Sequence, residues 1–139
     1  MKISDCHAKA ITAYCRKRKI PVAYLFGSQA RGDSGAHSDI DLAFLMKQRP
    51  SLDEHAQLVT DMMHILGDTR VDVVVLNNAS PVLKFEVISE GKTLYRAMGD
   101  DAINAYEMGV IRDYYDTGYL RHVQDLYMRE KYLGIPCGF

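Results

Sequence analysis

Two acidic residues and a glycine-serine turn form the stretch of this sequence that is best suited to chemistry. Gly27-Ser28 is followed, after ten residues, by Asp39 and Asp41 at the entrance of a predicted strand. Side chains two positions apart on a strand project to the same face, so these two carboxylates are expected to lie together. Like charges held that close repel each other unless a cation lies between them. The pair therefore predicts a metal site.

A third carboxylate, Asp72, opens the later apolar run 71–76 and is expected on a neighbouring strand. Carboxylate oxygens at this density favour Mg²⁺, which binds through one or two carboxylates together with substrate phosphates. Asp72 would complete a site for two Mg²⁺ ions roughly 3.5–4 Å apart. In that arrangement Asp72 is the ligand nearest the attacking hydroxyl and a candidate proton acceptor. The predicted substrate is a nucleoside triphosphate.

The turn at residues 27–32 is predicted to hold the phosphates. Gly27 allows the backbone to approach a phosphate closely, and Ser28 offers a hydroxyl and an N–H donor at a helix start. Arg31 is placed to neutralise phosphate charge, although it could equally pair with Asp33 at the surface.

The apolar periodicity predicts an α/β fold that presents these residues from strands. The predicted elements are a helix over 3–19, strands over 22–26 and 40–46, a helix from 51 or 53 to 66, a strand over 71–76, a helix over 81–90, a short edge strand over 93–95, and helices over 100–132 with a break near 117–118. The run 71–76 is apolar on both sides of Asp72, which predicts an interior strand. The inward positions predicted for the first helix are Ile3, Cys6, Ala10 and Tyr14, with Ile11 as a further candidate. Those predicted for the second helix are Leu52, Ala56, Val59, Met62, Met63 and Leu66.

Composition predicts one globular domain over residues 1–139. The predicted helices form an extension at about 100–133, and the core at about 20–95 is the part that carries the family resemblance described below. The net charge of −1 argues against a protein that coats nucleic acid, because such binding needs a broad cationic surface. Three cysteines without a paired spacing indicate reduced thiols. The chain shows no secretory signal and no apolar run of membrane-spanning length, so we expect a cytoplasmic protein.

Two surface features leave alternatives open. Six of the nine tyrosines lie between residues 106 and 132, which is consistent with packing against the sheet or with a protein-docking surface. The basic run 16–19 is consistent with a solvated helix end or with a contact for an acidic or RNA-containing partner.

The spacing of the site residues closely resembles the DNA polymerase beta-like nucleotidyltransferase superfamily. The resemblance rests on Gly27-Ser28, ten residues, and Asp39-Ile40-Asp41, with the third family carboxylate matching Asp72. The short chain is similar to the minimal nucleotidyltransferase group, and the segments 84–86 and 90–95 resemble its MntA-type antitoxins.

The resemblance implies a mixed β-sheet flanked by helices, Mg²⁺ and ATP, and a HEPN-domain ribonuclease toxin as partner. It also implies that the chain transfers AMP to a tyrosine of that toxin and silences it, with no membrane or direct nucleic-acid substrate. Two alternatives are a binding module that blocks the toxin stoichiometrically and a transferase that modifies small molecules such as antibiotics. A kinase is disfavoured because the sequence contains no kinase-type phosphate-binding loop.

Overall fold

The computed structural model describes residues 3–27 and 39–133 of the chain. In chain order the elements are α1 (Asp5–Arg18), β1 (Val22–Phe26), β2 (Ile40–Leu45), α2 (Leu52–Leu66), β3 (Val71–Val75), a 3₁₀ turn (Leu76–Asn78), α3 (Pro81–Glu90), β4 (Lys92–Arg96), α4 (Asp100–Asp116) and α5 (Gly118–Leu133). The predicted elements within these residues are confirmed, including the break before Gly118.

The four strands form one mixed sheet in the order β3-β2-β1-β4. β2 and β3 run parallel, whereas β1 is antiparallel to both of its neighbours. Helices α1 and α2 cover one face of the sheet, with Ile11 and Met62 fully buried. Helices α3 and α4 cover the other face through Val87 and Ile103. The expectation of a small mixed sheet flanked by helices is confirmed.

The prediction that β3 is an interior strand is wrong. β3 lies at the edge of the sheet beside β2, and Asp72 in it is exposed. Val73 and Val74 are only half-buried, because each face of an edge strand is covered incompletely. A continuous apolar run indicates coverage of both faces of a strand, but it does not specify the strand's neighbours.

The inward faces predicted for the first two helices are only partly correct. In α1 the candidate Ile11 is buried together with Cys15, whereas the predicted Cys6 and Ala10 are exposed. In α2 the predicted Met62 and Leu66 are buried together with Leu58, and the predicted Leu52 and Ala56 are exposed. Leu52 opens its helix, where the first turn projects beyond the sheet, and it is 89% exposed.

Local sequence signals set the helix ends. The hydroxyls of Ser4, Ser51 and Ser80 accept hydrogen bonds from backbone N–H groups in the first turns of α1, α2 and α3. Gly67 ends α2 in the left-handed conformation, with φ 66°, as its predicted role as a helix cap requires.

The tyrosines of α4 and α5 divide between the two roles left open by the sequence. Tyr106 and Tyr114 are half-buried, and Tyr114 stacks on Phe85 of α3 with ring centroids 4.0 Å apart. Tyr115 and Tyr127 are exposed. Packing and an accessible aromatic surface are therefore both present.

Within the described part of the chain, no helix combines the length and apolar character needed to cross a membrane. Cys6 and Cys15 are free thiols, and burial raises the pKa of Cys15 to about 12. Cys137 lies outside the described residues.

Candidate active site

Two of the predicted carboxylates meet on adjacent parallel strands. Asp41 of β2 lies directly opposite Asp72 of β3 in the strand register. The same Asp41 pairs across β1 with Phe26, the last residue of that strand. The acidic pair therefore lies where β1 ends and where β2 and β3 begin, next to the predicted phosphate-binding turn.

The electrostatics of Asp41 reflect this crowding. Burial raises the pKa of Asp41 to about 6, assisted by the charge of Asp72 and by a hydrogen bond between the two carboxyl groups. The charge of Asp39 acts in the same direction. Ionising Asp41 at neutral pH is therefore costly unless positive charge is supplied. A divalent cation is one ligand that would supply it.

Gly27 provides the close approach that the turn requires. It has φ 73°, a left-handed conformation that favours glycine. A Cβ atom built at this position would lie 2.2 Å from Oδ2 of Asp41, well inside contact distance. A side chain at position 27 would therefore displace the Asp41 carboxylate, and glycine lets the backbone of the turn pass beside it.

Only some of the other predicted site residues are among those that the structure describes. Asp39 is exposed, just before β2 begins, and Asp72 is exposed on β3. Ser28 and Arg31 lie outside the described residues. Among the residues that are described, no three histidine, cysteine or acidic side chains already form a metal-binding group.

The donor chemistry nevertheless fits Mg²⁺. Asp41 and Asp72 present hard carboxylate oxygens in mutual contact, and the charge of Asp39 reaches the same position. The raised pKa of Asp41 reflects its burial and the negative charges of Asp72, Asp39 and Glu86. Such a pair can bind a divalent cation and, when ionised, can accept a proton.

One acidic residue near the site was missed by sequence reasoning. Glu86 is exposed on α3, and its negative charge adds to the repulsion that raises the pKa of Asp41. Glu86 follows Asp72 by fourteen positions and belongs to another element, so no local spacing connects them. Only the packing of α3 against the sheet brings its charge near the site.

Comparison with known proteins identifies the fold family. The family model for "Polymerase beta, Nucleotidyltransferase" matches residues 9–99, which contain the four strands and all three aspartates. The chain belongs to this nucleotidyltransferase family. All of α4 and all of α5 lie beyond the matched residues.

Similar members of the nucleotidyltransferase family carry more specific descriptions. The protein adenylyltransferase MntA of Shewanella oneidensis is 38% identical over 89 residues. The match spans 63% of this chain and 62% of that relative, so the chain covers about three fifths of its length.

Two solved structures extend the similarity to most of the chain. One is of a toxin-antitoxin with AMP-PNP, with a TM-score of 0.75 and 27% identity over 87% of this chain and 98% of that one. The other contains a tri-AMPylated Shewanella oneidensis HEPN toxin in complex with an MNT antitoxin. Its TM-score is 0.68, with 25% identity over 88% of this chain and 96% of that one.

Proposed function

We propose that this chain is an antitoxin that acts as a protein adenylyltransferase. It transfers AMP from ATP to a tyrosine of a cognate HEPN ribonuclease toxin and releases pyrophosphate. The family assignment supports nucleotidyl transfer. The similar MntA protein and the similar complex with a tri-AMPylated HEPN toxin support the substrate and the partner.

The observation that carries this proposal is the register of Asp41 opposite Asp72 beside Gly27. It joins paired acidic oxygens to a turn whose backbone can approach a phosphate. A binding protein without catalysis has no need for a partly buried carboxylate in contact with another acid, because that contact costs stability.

In the proposed site Asp39, Asp41 and Asp72 would hold two Mg²⁺ ions. When bound, these ions would neutralise the charge of the triphosphate and lower the pKa of the acceptor hydroxyl. Gly27, Ser28 and Arg31 would bind the phosphates, through backbone N–H groups, the serine hydroxyl and the guanidinium.

The transfer step itself needs few protein groups. The tyrosine oxygen of the toxin forms a bond to the α-phosphorus of ATP, and the bond from that phosphorus to the β-phosphate bridge oxygen breaks. Pyrophosphate leaves with the bonding electrons, and the hydroxyl proton passes to the carboxylate of Asp72. The attached AMP then blocks the toxin by its bulk and by repulsion of the RNA backbone.

The direct test is to incubate the full chain with its HEPN partner, ATP and Mg²⁺ and to measure the mass of the partner. We expect the partner to gain whole AMP units and to lose ribonuclease activity. The double variant Asp39→Asn, Asp41→Asn should form the complex but add no AMP. An unmodified partner, silenced equally well by the double variant, would reject the proposal.

The second candidate function is stoichiometric occlusion of the toxin without transfer. It is favoured by the apolar side chains that α5 exposes, including Leu120 at 61% and Tyr127 at 56%. Removing the chain from the silenced toxin distinguishes the two functions. A covalent mark persists after separation, whereas occlusion is reversed and ribonuclease activity returns.

A further inference from the structure

A shallow groove with a cationic rim lies at the end of the sheet opposite the candidate active site. Its volume is about 400 Å³, and it is lined by Pro21 and Tyr95, which flank the start of β1 and the end of β4. The carboxylates lie at the other end of β1, roughly 16 Å away for a strand of five residues. The groove is therefore separate from the acidic site.

Three cations from two separate elements surround this groove. Arg16 and Lys19 come from the end of α1, and Lys47 follows β2. All three are exposed, and no acidic residue of the described ranges lines the groove. Within the same ranges none of the three forms an ion pair, whereas nearby Arg18 and Arg96 do. The lining of this groove therefore carries three positive charges and, among the described residues, no negative charge.

The backbone at Lys19 has a conformation that is unusual for a residue other than glycine. Lys19 caps α1 with φ 58° and ψ 41°, and among the described residues it is the one non-glycine with positive φ. Glycine is preferred at such a helix end because it avoids the strain of a Cβ. The helix dipole favours cations here, which accounts for Arg16 and Lys19. It does not account for Lys47, which belongs to another element.

The floor of the groove adds an aromatic surface to the charge. Tyr95 is half-buried and packs against the core, while Met98 and Pro21 complete the apolar lining. Cations that bind phosphate beside an aromatic ring that stacks on a base are the combination by which proteins bind nucleotides in single strands. An acidic peptide would use the cations but would leave the tyrosine ring without a stacking partner.

We propose that this groove binds a phosphorylated nucleoside unit. Its phosphates lie against Arg16, Lys19 and Lys47, and its base lies against Tyr95. The unit can belong to a single-stranded RNA or can be a free nucleotide. This site is independent of the proposed adenylyl transfer, since the groove shares no residue with the acidic pair.

The test measures binding of the full chain to a fluorescein-labelled single-stranded RNA of about twelve nucleotides, within the site sizes of single-strand binders, by anisotropy. EDTA is present, so that divalent cations do not recruit nucleotide to the acidic site. Three phosphate contacts predict an affinity loss of about 20-fold between 50 and 200 mM salt. Unlabelled AMP then distinguishes the sources: displacement of the RNA by AMP indicates a free nucleotide, and its failure indicates a strand. Absence of RNA binding at about 50 mM salt would overturn the proposal.

Neighbouring cations on one helix provide a matched control. Arg16→Ala and Lys47→Ala should each weaken RNA binding roughly fivefold to tenfold at 50 mM salt and reduce the salt slope by about 0.7. Lys17→Ala removes the same charge one residue away, but Lys17 lies outside the groove. It should change the affinity less than about twofold. Equal losses from Arg16→Ala and Lys17→Ala would indicate diffuse attraction and would overturn the proposal.

Two further variants distinguish a loss of binding at the groove from a loss of folding stability. Tyr95→Leu keeps an apolar side chain on the core and should weaken RNA binding at least about fivefold with an unchanged salt slope. Lys19→Gly relieves the left-handed strain, so it should preserve or raise the melting temperature while it weakens binding. An acidic peptide of equal length that binds as tightly as the RNA, or a Tyr95→Leu variant with full affinity, would contradict the assignment to a nucleotide.

Discussion

Asp41 bears the electrostatic cost of the candidate site. Its burial and its contact with Asp72 raise its pKa from 3.8 to about 6. The folded protein therefore binds this proton more tightly than the unfolded chain does. Stability is consequently lost as pH rises from about 4 through about 6, and it stays lower above that range. A residue whose shifted pKa lowers stability at neutral pH is expected at a functional site.

Asp41→Asn should therefore stabilise the metal-free protein at pH 8 while it abolishes nucleotidyl transfer. The gain in the free energy of unfolding should be on the order of 1 kcal/mol. Solvent screening reduces the free energy that corresponds to the pKa shift of a partly exposed group. Near pH 4, where the folded carboxyl is already protonated, the gain should vanish. Urea unfolding in EDTA at the two pH values measures it. Asp125→Asn, at an exposed site on α5, serves as the control, and an Asp41→Asn variant no more stable than the parent at pH 8 would contradict the prediction.

Gly27 and Gly67 form a matched pair for separating contact from backbone strain. Both have positive φ, 73° and 66°, but only position 27 places a Cβ against Asp41, while position 67 has nothing within 4 Å. Gly67→Ala should cost about 1 kcal/mol of stability for the strained backbone alone. Gly27→Ala should cost more and should also lower nucleotidyl transfer at least about tenfold, because a carboxylate displaced by about 1 Å disturbs catalysis strongly. Equal stability losses with full activity at position 27 would show that the contact is unimportant.

The two helices on one face of the sheet are joined by a hydrogen bond between side chains. The hydroxyl of Tyr14 on α1 donates to Oδ2 of Asp61 on α2 at 2.6 Å. This bond lowers the pKa of Asp61, and burial together with the same bond raises the pKa of Tyr14. The two helices are therefore held by a charge-assisted contact in addition to their apolar packing.

Tyr14→Phe should destabilise the fold by about 1–2 kcal/mol at pH 7, since the bond is made to a charged group. Because the folded-state pKa of Asp61 is lowered, the contribution is present above the unfolded pKa near 4 and is lost as pH falls below it. The stability gap between parent and variant should thus narrow between pH 7 and pH 3. Chemical unfolding at both pH values measures the gap. Tyr115→Phe, which removes an exposed hydroxyl, should change stability by less than about 0.5 kcal/mol.

Local signals in the sequence predicted where helices and strands begin and end better than they predicted which elements lie side by side. Serine caps, Pro81 and the glycines at 67 and 91 mark helix ends because they act within one turn of the chain. The edge position of β3 was mispredicted because apolar content reports coverage of a strand and not its order in the sheet. The buried face predicted for α1 was partly wrong because few large apolar residues mark one side of this helix.

Sequence reasoning could predict the parts of the candidate site that are close together in the chain. It could not predict the contacts that strand register and helix packing create. Asp39 and Asp41 share one strand entrance, and Asp72 was placed correctly on a neighbouring strand. The contact of Asp72 with Asp41 depends on parallel register, which no residue spacing encodes. The charge of Glu86 reaches the site only through packing of α3, so residue spacing did not indicate that it lies near Asp41.

Three kinds of surface lie in separate parts of the molecule. The acidic site lies at one end of the sheet, the cationic groove lies at the other, and α5 packs mainly against α4. A net charge of −1 therefore conceals local patches of opposite sign. This separation allows transfer, nucleotide binding and partner docking to be tested by different substitutions.

The exposed apolar face of α5 is the strongest candidate for partner docking, and this prediction rests on the proposed antitoxin function. Leu120, Val123 and Tyr127 recur at helical spacing and are 61%, 43% and 56% exposed. Replacing all three by serine should leave the melting temperature within a few degrees, because little core contact is lost. It should weaken binding of the HEPN partner at least about tenfold, since apolar anchors dominate such interfaces.

Calorimetry of the complex measures this affinity, and residues on the opposite side of α5 provide the control. His122 and Asp125 are exposed and lie roughly half a helical turn from the apolar face. Replacing these two by serine removes similarly exposed side chains but should leave partner affinity within about twofold. AMP transfer to the partner should fall with affinity in the apolar variant, although the acidic site is intact. Full affinity in that variant would place the docking surface elsewhere, and equal losses on both faces would indicate that the helix itself had been disturbed.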